Sequence, residues 1–153
     1  MIRSIEQSDH DQILDLNQNA LHAVGSLDHE DLALLVKKAD QAIVVDTEGD
    51  VAGFVITLPQ DADYDSSRFR WFADRFDEFV YLDRVIVSPD HRREGVGSKM
   101  YDQLPTDVPV ALEVYEDNDT SLAFHRSLGF EPVGELEHNG TVNVMMLRPA
   151  TAA

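Results

Sequence analysis

Arg92-Arg93-Glu94-Gly95-Val96-Gly97 follows an apolar run, Tyr81 to Val87, and a turn, Ser88-Pro89-Asp90-His91, and it leads into a helical stretch, Ser98 to Leu104. A strand that passes through a tight glycine-bearing loop into a helix start is an anion cradle. Free backbone N–H groups and the positive end of the helix dipole point at the same place. Gly95 and Gly97 have no Cβ, so the backbone can come close to a ligand there. The anion that suits such a cradle is a pyrophosphate. Taken alone, the same pattern also describes a plain strand-to-helix turn.

Two familiar phosphate loops do not fit. A Walker loop, G-x-x-x-x-G-K-S/T, places its lysine directly after the last glycine, and here Ser98 separates Gly97 from Lys99. A dinucleotide fingerprint, G-x-G-x-x-G, needs a third glycine where Met100 stands. The pattern that fits is Arg/Gln-x-x-Gly-x-Gly/Ala after a strand, which resembles the acyl-CoA-binding motif of the GNAT superfamily of N-acyltransferases. Downstream, that family usually carries Asn-x-x-Ala/Ser-x-x-x-Tyr-x-x-x-Gly-Phe, and Asn118, Ser121, His125, Gly129 and Phe130 stand at that spacing. His125 occupies the position where the family most often has Tyr. Some amine- and amino-acid-directed branches are similar in having a His there. The resemblance extends to the order of strands and helices over nearly the whole chain.

The 153 residues suffice for one domain with a core of its own, read as 1–148 with a loose tail over 149–153. Hydrophobic residues are 43% and charged residues 27%, the balance of a globular chain. No stretch approaches the roughly 18 apolar residues of a membrane span. The start, Met1-Ile2-Arg3-Ser4-Ile5-Glu6, does not read as a signal peptide. The absence of Cys excludes disulfides and thiolate chemistry, and it suits a cytoplasmic enzyme.

Asp and Glu number 29 against 12 Lys and Arg, a net charge of −17. A field of that sign repels nucleic acid and anionic membranes as partners. It repels CoA as well, so a cofactor site must be locally basic, and Arg92, Arg93 and Lys99 stand where that requires. Asp supplies 19 of the acidic residues and Lys only three of the basic ones. Such a surface fits a salt-adapted cytoplasm or ordinary acidity equally well.

Along the chain, Ile2 to Ile5 reads as a strand. Ser8 with Asp11 can cap a helix through Ile13, Leu16, Ala20 and Val24 that ends at Gly25. Asp28 with Asp31 caps a second helix. Ala42 to Val45 and Val51 to Leu58 form a hairpin about Glu48-Gly49-Asp50. Phe69, Phe72, Phe76 and Phe79 fall at helical spacing over residues 60–80. Trp71 lies off that stripe, either facing an acceptor pocket or packed. Tyr81, Asp83, Val85 and Val87 share one face of their strand, and Arg84 and Ile86 share the other. Val110, Leu112 and Val114 make a further strand. Asn118 or Asp117 caps a helix to Leu128 that Gly129 stops. Phe130 to Glu137 and Thr141 to Leu147 flank the hairpin signal Asn139-Gly140. The sum is an α+β domain with one twisted, mostly antiparallel sheet flanked by helices. The resemblance adds two central strands, ending near Val87 and Val114, that splay apart for a pantetheine arm.

The resemblance implies acetyl-CoA as cofactor. Backbone amides from Arg93 to Ser98 would hold its pyrophosphate, with Arg92 and Glu94 in the same loop. The strand edge at Val85, Ile86 and Val87 would bond the pantetheine, and an N–H near Val87 would polarise the thioester carbonyl. Asn118, Ser121 and Phe124 would order the turn or pack beside the cofactor. No metal is implied, because His10, His22, His29, His91, His125 and His138 make no ligand-spaced cluster.

Transfer to an amine needs a neutral nucleophile, a held oxyanion and a protonated leaving thiolate. His125 is the expected proton donor to the thiolate, with a pKa near the ordinary value of about 6.5. The expected base is Asp83, since an acid inside an apolar strand is unfavourable unless paired or used. Arg84 points to the opposite face and is a poor partner for it; an ion pair with an Arg from the 68–75 segment is an equal alternative to the base role, and the charge of Asp83 could also bind the cationic amine without proton transfer. Glu113 and Glu116 could act instead through water. Trp71, Tyr81 and Glu113 are the expected acceptor contacts. The expected function is acetyl transfer to the primary amine of a small amine or amino-acid-like acceptor. A non-catalytic acyl-CoA-binding module and a protein N-acetyltransferase are the competing readings, and the resemblance allows a homodimer.

Overall fold

The computed structural model describes residues 1–21 and 24–151. His22 and the last two residues of the expected tail, Ala152 and Ala153, lie outside them. The elements in chain order are β1 (Ile2–Ser4), α1 (His10–Gln18), α2 (His29–Lys38), β2 (Gln41–Thr47), β3 (Asp50–Pro59), α3 (Ser67–Ala73), β4 (Val80–Val87), α4 (Val96–Tyr101), β5 (Val110–Tyr115), α5 (Asp119–Ser127), β6 (Glu131–His138) and β7 (Thr141–Arg148). The strands run in the order β1-β2-β3-β4-β5-β7-β6, an α+β fold with a mostly antiparallel sheet flanked by helices. Contacts gather into two compact units, 1–58 with 82–104 and 59–81 with 105–153, and β4 supplies residues to both.

In the first unit β2 and β3 form a hairpin whose turn residues Glu48 and Gly49 both have positive φ, 54° and 87°. That is the twist a two-residue hairpin wants. Val51 to Leu58 is buried throughout, as a strand covered on both faces must be. The capping box of α2 forms as expected, with Asp31 N–H donating to Asp28 Oδ1 at 2.8 Å.

The start of α1 differs from expectation. A short 3-10 turn, Gln7–Asp9, comes first, and Asp9 rather than Ser8 organises it. Asp9 Oδ2 accepts Glu6 N–H at 2.8 Å, and the Arg3 guanidinium grips both Asp9 oxygens at 2.7 and 2.8 Å. A bidentate pair of that kind outweighs a hydroxyl cap. The helix also stops at Gln18, well short of Gly25, and the Asn17 side chain in its last turn donates to Gly25 O at 3.0 Å.

In the second unit β5 pairs with β7, and β6 and β7 close through Asn139 and Gly140, with φ of 51° and 79°. The parallel ladder of β4 on β5 is registered at Val80↔Val110 and Tyr81↔Ala111. The aromatic segment is shorter as a helix than its spacing predicts. α3 begins at a Ser66 cap and ends at Ala73, so Phe69 and Phe72 sit on it while Phe76 and Phe79 follow it. Phe79 still joins the cluster, its ring 5.9 Å from Phe69 and 6.1 Å from Phe72. Spacing reported the burial of Phe69, Phe72 and Phe79, while Phe76 is only half-buried and the backbone departs from the helix expected.

Candidate functional site

In the first unit β4 delivers the loop. Ser88 N–H bonds Ala52 O at 2.8 Å, which fixes the strand end against β3. Arg93 and Gly95 then take left-handed backbone, with φ of 68° and 77°. Gly95 is the N-cap of α4, so the helix starts at Val96, inside the motif and two residues before the expected Ser98. The first bond that closes it runs from Lys99 N–H to Gly95 O at 3.0 Å. The amides of Val96, Gly97 and Ser98 precede that bond and are the ones a helix start offers to an outside acceptor.

The glycines test the fit of a phosphate. A Cβ on Gly95 would meet nothing within 4 Å, so its requirement is conformational. A Cβ on Gly97 would lie 3.7 Å from Val87 Cγ2, an ordinary contact, so the protein itself tolerates more there. Space beside Gly97 next to open amides fits a close-approaching anion. Val85 and Val87 are half-buried and Ile86 buried, the alternation expected along β4.

Gly53, which the sequence reading passed over, sets the height of this loop. A Cβ there would lie 2.9 Å from Ile86 O and Val96 Cγ1 and 3.1 Å from Met100 Cε. An isolated glycine inside an apolar strand is the signal of such a close approach.

Asp83 has a partner that its strand face did not suggest. Arg84 Nε lies 3.4 Å from Asp83 Oδ2, with both side chains nearly buried. Arg84 Nη1 also donates to Asn17 Oδ1 at 2.8 Å and Gly25 O at 2.7 Å. The guanidinium is long enough to fold back beside its neighbour, which alternation of Cβ directions does not forbid. Asp83 is therefore ion-paired with its own chain neighbour.

In the second unit the expected partner Arg68 goes elsewhere, to Glu113 Oε1 at 3.6 Å. The Tyr81 hydroxyl donates to Glu113 Oε2 at 2.7 Å. Tyr81 is 1% exposed, its ring edge-on to Phe69 at 5.5 Å. Glu113 thus sits on β5 with a phenol and a guanidinium on its two oxygens. Trp71 is packed: a Cβ on Gly134 would meet its Cζ2 at 2.5 Å, and the Arg75 guanidinium lies 4.1 Å over its ring. The bulge between Pro132 and Gly134 in β6 is where the indole presses.

α5 starts as its motif predicts, with Asn118 Oδ1 accepting Ser121 N–H at 3.1 Å. His125 Nδ1 lies 2.8 Å from Ser121 O and 3.2 Å from Ser121 Oγ. A carbonyl only accepts, so Nδ1 carries the proton and Nε2 the lone pair of the neutral ring. Phe124 and Phe130 stand edge-on to the ring at 5.3 and 5.5 Å. Burial pushes the imidazole below its ordinary pKa, opposed in part by the bond to Ser121. The expected near-ordinary imidazole is replaced by one that rests neutral. Phe124 itself is 38% exposed.

Among the described residues no helix is long and apolar enough to cross a membrane. No group of three or more His, Cys, Asp or Glu gathers there to hold a metal.

The profile of the family described as "Acetyltransferase (GNAT) family" matches residues 10–130. The uncharacterized N-acetyltransferase YesJ of Bacillus subtilis (strain 168) is 28% identical over 91 residues, 56% of this chain and 49% of that protein. The chain thus spans about half the length of the curated relative it matches. Ard1 from Thermoplasma volcanium superposes with a TM-score of 0.77 at 21% identity, covering 99% of this chain and 98% of that one. The ribosomal-protein-S18-alanine N-acetyltransferase from Escherichia coli gives 0.73 at 19% identity over 100% and 95%. yncA from Salmonella typhimurium, solved with its cofactor acetyl-CoA, gives 0.73 at 19% over 100% and 95%. At these identities the structures establish the fold.

Proposed function

The chain belongs to the GNAT acetyltransferase family, and from that premise we propose that it is an acetyl-CoA-dependent N-acetyltransferase acting on the primary amine of a small acceptor. The observation that carries the cofactor is the open start of α4 behind Gly95, whose amides and vacant Gly97 side suit a pyrophosphate. Acetyl-CoA supplies the acetyl group as a thioester, and CoA leaves as the thiol. Arg92, Arg93 and Lys99 offset the chain's charge of −17 where that anion sits.

His125 handles the proton. Its ring rests neutral with Nδ1–H committed to Ser121 O. Nε2 takes a proton from the acceptor nitrogen as the new C–N bond forms and gives it to the departing sulfur as the C–S bond breaks. A depressed pKa makes the resulting imidazolium a stronger acid, which favours the second transfer. This refines the simple donor role expected for His125. Glu113, held by Tyr81 and Arg68, replaces Asp83 as the carboxylate that binds the acceptor ammonium and accepts its first proton through water. The aromatics of 64–81 pack on one another and on Tyr81, which supports a small acceptor over an open peptide groove.

Thermal melts with acetyl-CoA, CoA and ATP, followed by thiol release with a panel of amines, amino acids and N-terminal peptides, test this reading. Ligand at a hundred times its Kd should add roughly 2.7 kcal/mol, for both CoA species and not for ATP. Turnover with peptides alone would move the acceptor to proteins. CoA binding with no turnover on any acceptor would favour a non-catalytic module.

A further inference from the structure

An acidic residue in an anion-binding loop needs an explanation. Glu94 directly precedes Gly95, the N-cap of the helix start read as the pyrophosphate's seat, so its carboxylate would stand close to that anion. Unneutralised, it would repel that ligand. The structure neutralises it through His91. The ring's Nδ1 lies 2.9 Å from Glu94 Oε1, and its Nε2 lies 2.8 Å from Asp50 Oδ2. Ionised carboxylates only accept hydrogen bonds, so both ring nitrogens must carry hydrogen for both contacts to be made. Only the imidazolium does that.

The ring is also shielded where its partners are not. The His91 side chain is 13% exposed, against 48% for Glu94 and 61% for Asp50. Asp50 opens β3, whereas Glu94 lies between the two left-handed residues Arg93 and Gly95. A non-glycine residue at φ 68° persists only where its surroundings hold it. The tie from Asp50 through His91 to Glu94 anchors that strained turn to the rigid hairpin. Asp50 and Glu94 are the charged groups that face the ring; Asp90 and Arg92 are its chain neighbours. The hydrogen bonds to Asp50 and Glu94, and the charges of both, hold its pKa above the ordinary value.

We propose that His91 is a positioning residue for the cofactor: as the imidazolium it cancels the charge of Glu94 and ties the loop to Asp50, so affinity for acetyl-CoA falls when it loses its proton. This rests on the reading of 92–98 as the cofactor's seat.

Isothermal titration with acetyl-CoA on the full chain, from about pH 6 to about pH 9 at fixed ionic strength, tests it. The wild type should weaken about tenfold towards the alkaline end. Glu94→Gln should show a clearly shallower slope, since the loop's own carboxylate is gone and only Asp50, at the start of β3, still faces the ring. His91→Gln should bind weakly even at neutral pH, and adding Glu94→Gln should recover the part of that loss that comes from the uncancelled charge. Ionisation of the cofactor's own phosphates is common to all four proteins and cancels in the comparison. Melting temperatures at neutral pH separate lost fold from lost affinity. A flat wild-type profile, or a Glu94→Gln profile with the wild-type slope, would overturn the inference and leave the cofactor site standing. A wild type that binds no acetyl-CoA at any pH would overturn both.

Discussion

His91 lies between two carboxylates, 2.8 Å from Asp50 and 2.9 Å from Glu94, whereas His125 lies between two phenyl rings with its Nδ1 on a backbone carbonyl. The same side chain is drawn above its ordinary pKa in one place and pushed below it in the other. Two facing carboxylates raise the first, and burial lowers the second. One histidine is suited to hold a charge and the other to pass one on. The wider surroundings follow the same division. The loop 92–98 is shaped by its backbone, left-handed at Arg93 and Gly95, and the groups around Glu113 are held by side-chain contacts.

Removing His125 should give the largest effect. His125→Ala should lower kcat by about a hundredfold or more, the range for a lost proton-transfer group. Calorimetric affinity for acetyl-CoA should hold. Loss of both would mean that the ring serves packing against Phe124 and Phe130 instead of proton transfer.

Gly97→Val comes next and probes the loop alone. Its Cβ meets only Val87 at 3.7 Å, so the unliganded melt should move little. A branched side chain beside open amides should weaken acetyl-CoA by at least about tenfold, about 1.4 kcal/mol. Unchanged affinity would place the phosphate elsewhere. Gly53→Ala should behave in the opposite way, losing about 1–3 kcal/mol of stability because Ile86 O cannot retreat from a Cβ at 2.9 Å.

The contrast between loop and partners also shows what the sequence could carry. The turn into α4 was legible because its geometry is local: Gly95 takes φ 77°, and the helix begins beside it. Asn118, Gly129 and Asn139-Gly140 were legible for the same reason, each announcing its own cap or turn. The partners of Asp83, Glu113 and Trp71 were not. Arg84 bonds Asn17 and Gly25, and Arg68 reaches Glu113, across separations that no periodicity encodes. Strand alternation even argued against Arg84, since it tracks Cβ directions and not where a long side chain ends. Burial of His125 was hidden likewise, because helix spacing shows which residues share a face and not how deeply that face lies.

The two acids should separate along that line. Asp83→Asn should cost about 1–3 kcal/mol of stability by leaving Arg84 with less charge compensation, with a modest effect on turnover. Glu113→Gln should lower kcat more than it lowers the melting temperature. Urea unfolding beside initial rates reads both, and the reverse split would return Asp83 to the role of base.

The smallest effect is the pH dependence of stability, and here the two histidines oppose each other. Burial holds His125 below its ordinary value of about 6.5, so in that window the unfolded chain binds more protons than the folded one. Its contribution is complete above about 6.5 and drains as pH falls. Asp50 and Glu94 hold His91 above the ordinary value, so its contribution is complete below about 6.5 and drains as pH rises through the folded value. Asp9 and Asp46, lowered chiefly by Arg3 and by Gly49 N–H respectively, lose theirs only in far more acid solution. Melting temperature against pH at fixed ionic strength should therefore show two independent shoulders. His125→Phe should flatten the acid one and spare the other, and His91→Gln should do the converse. A variant that altered the wrong shoulder would mean that the charge state assigned to that ring is inverted, and with it the division of labour between the two.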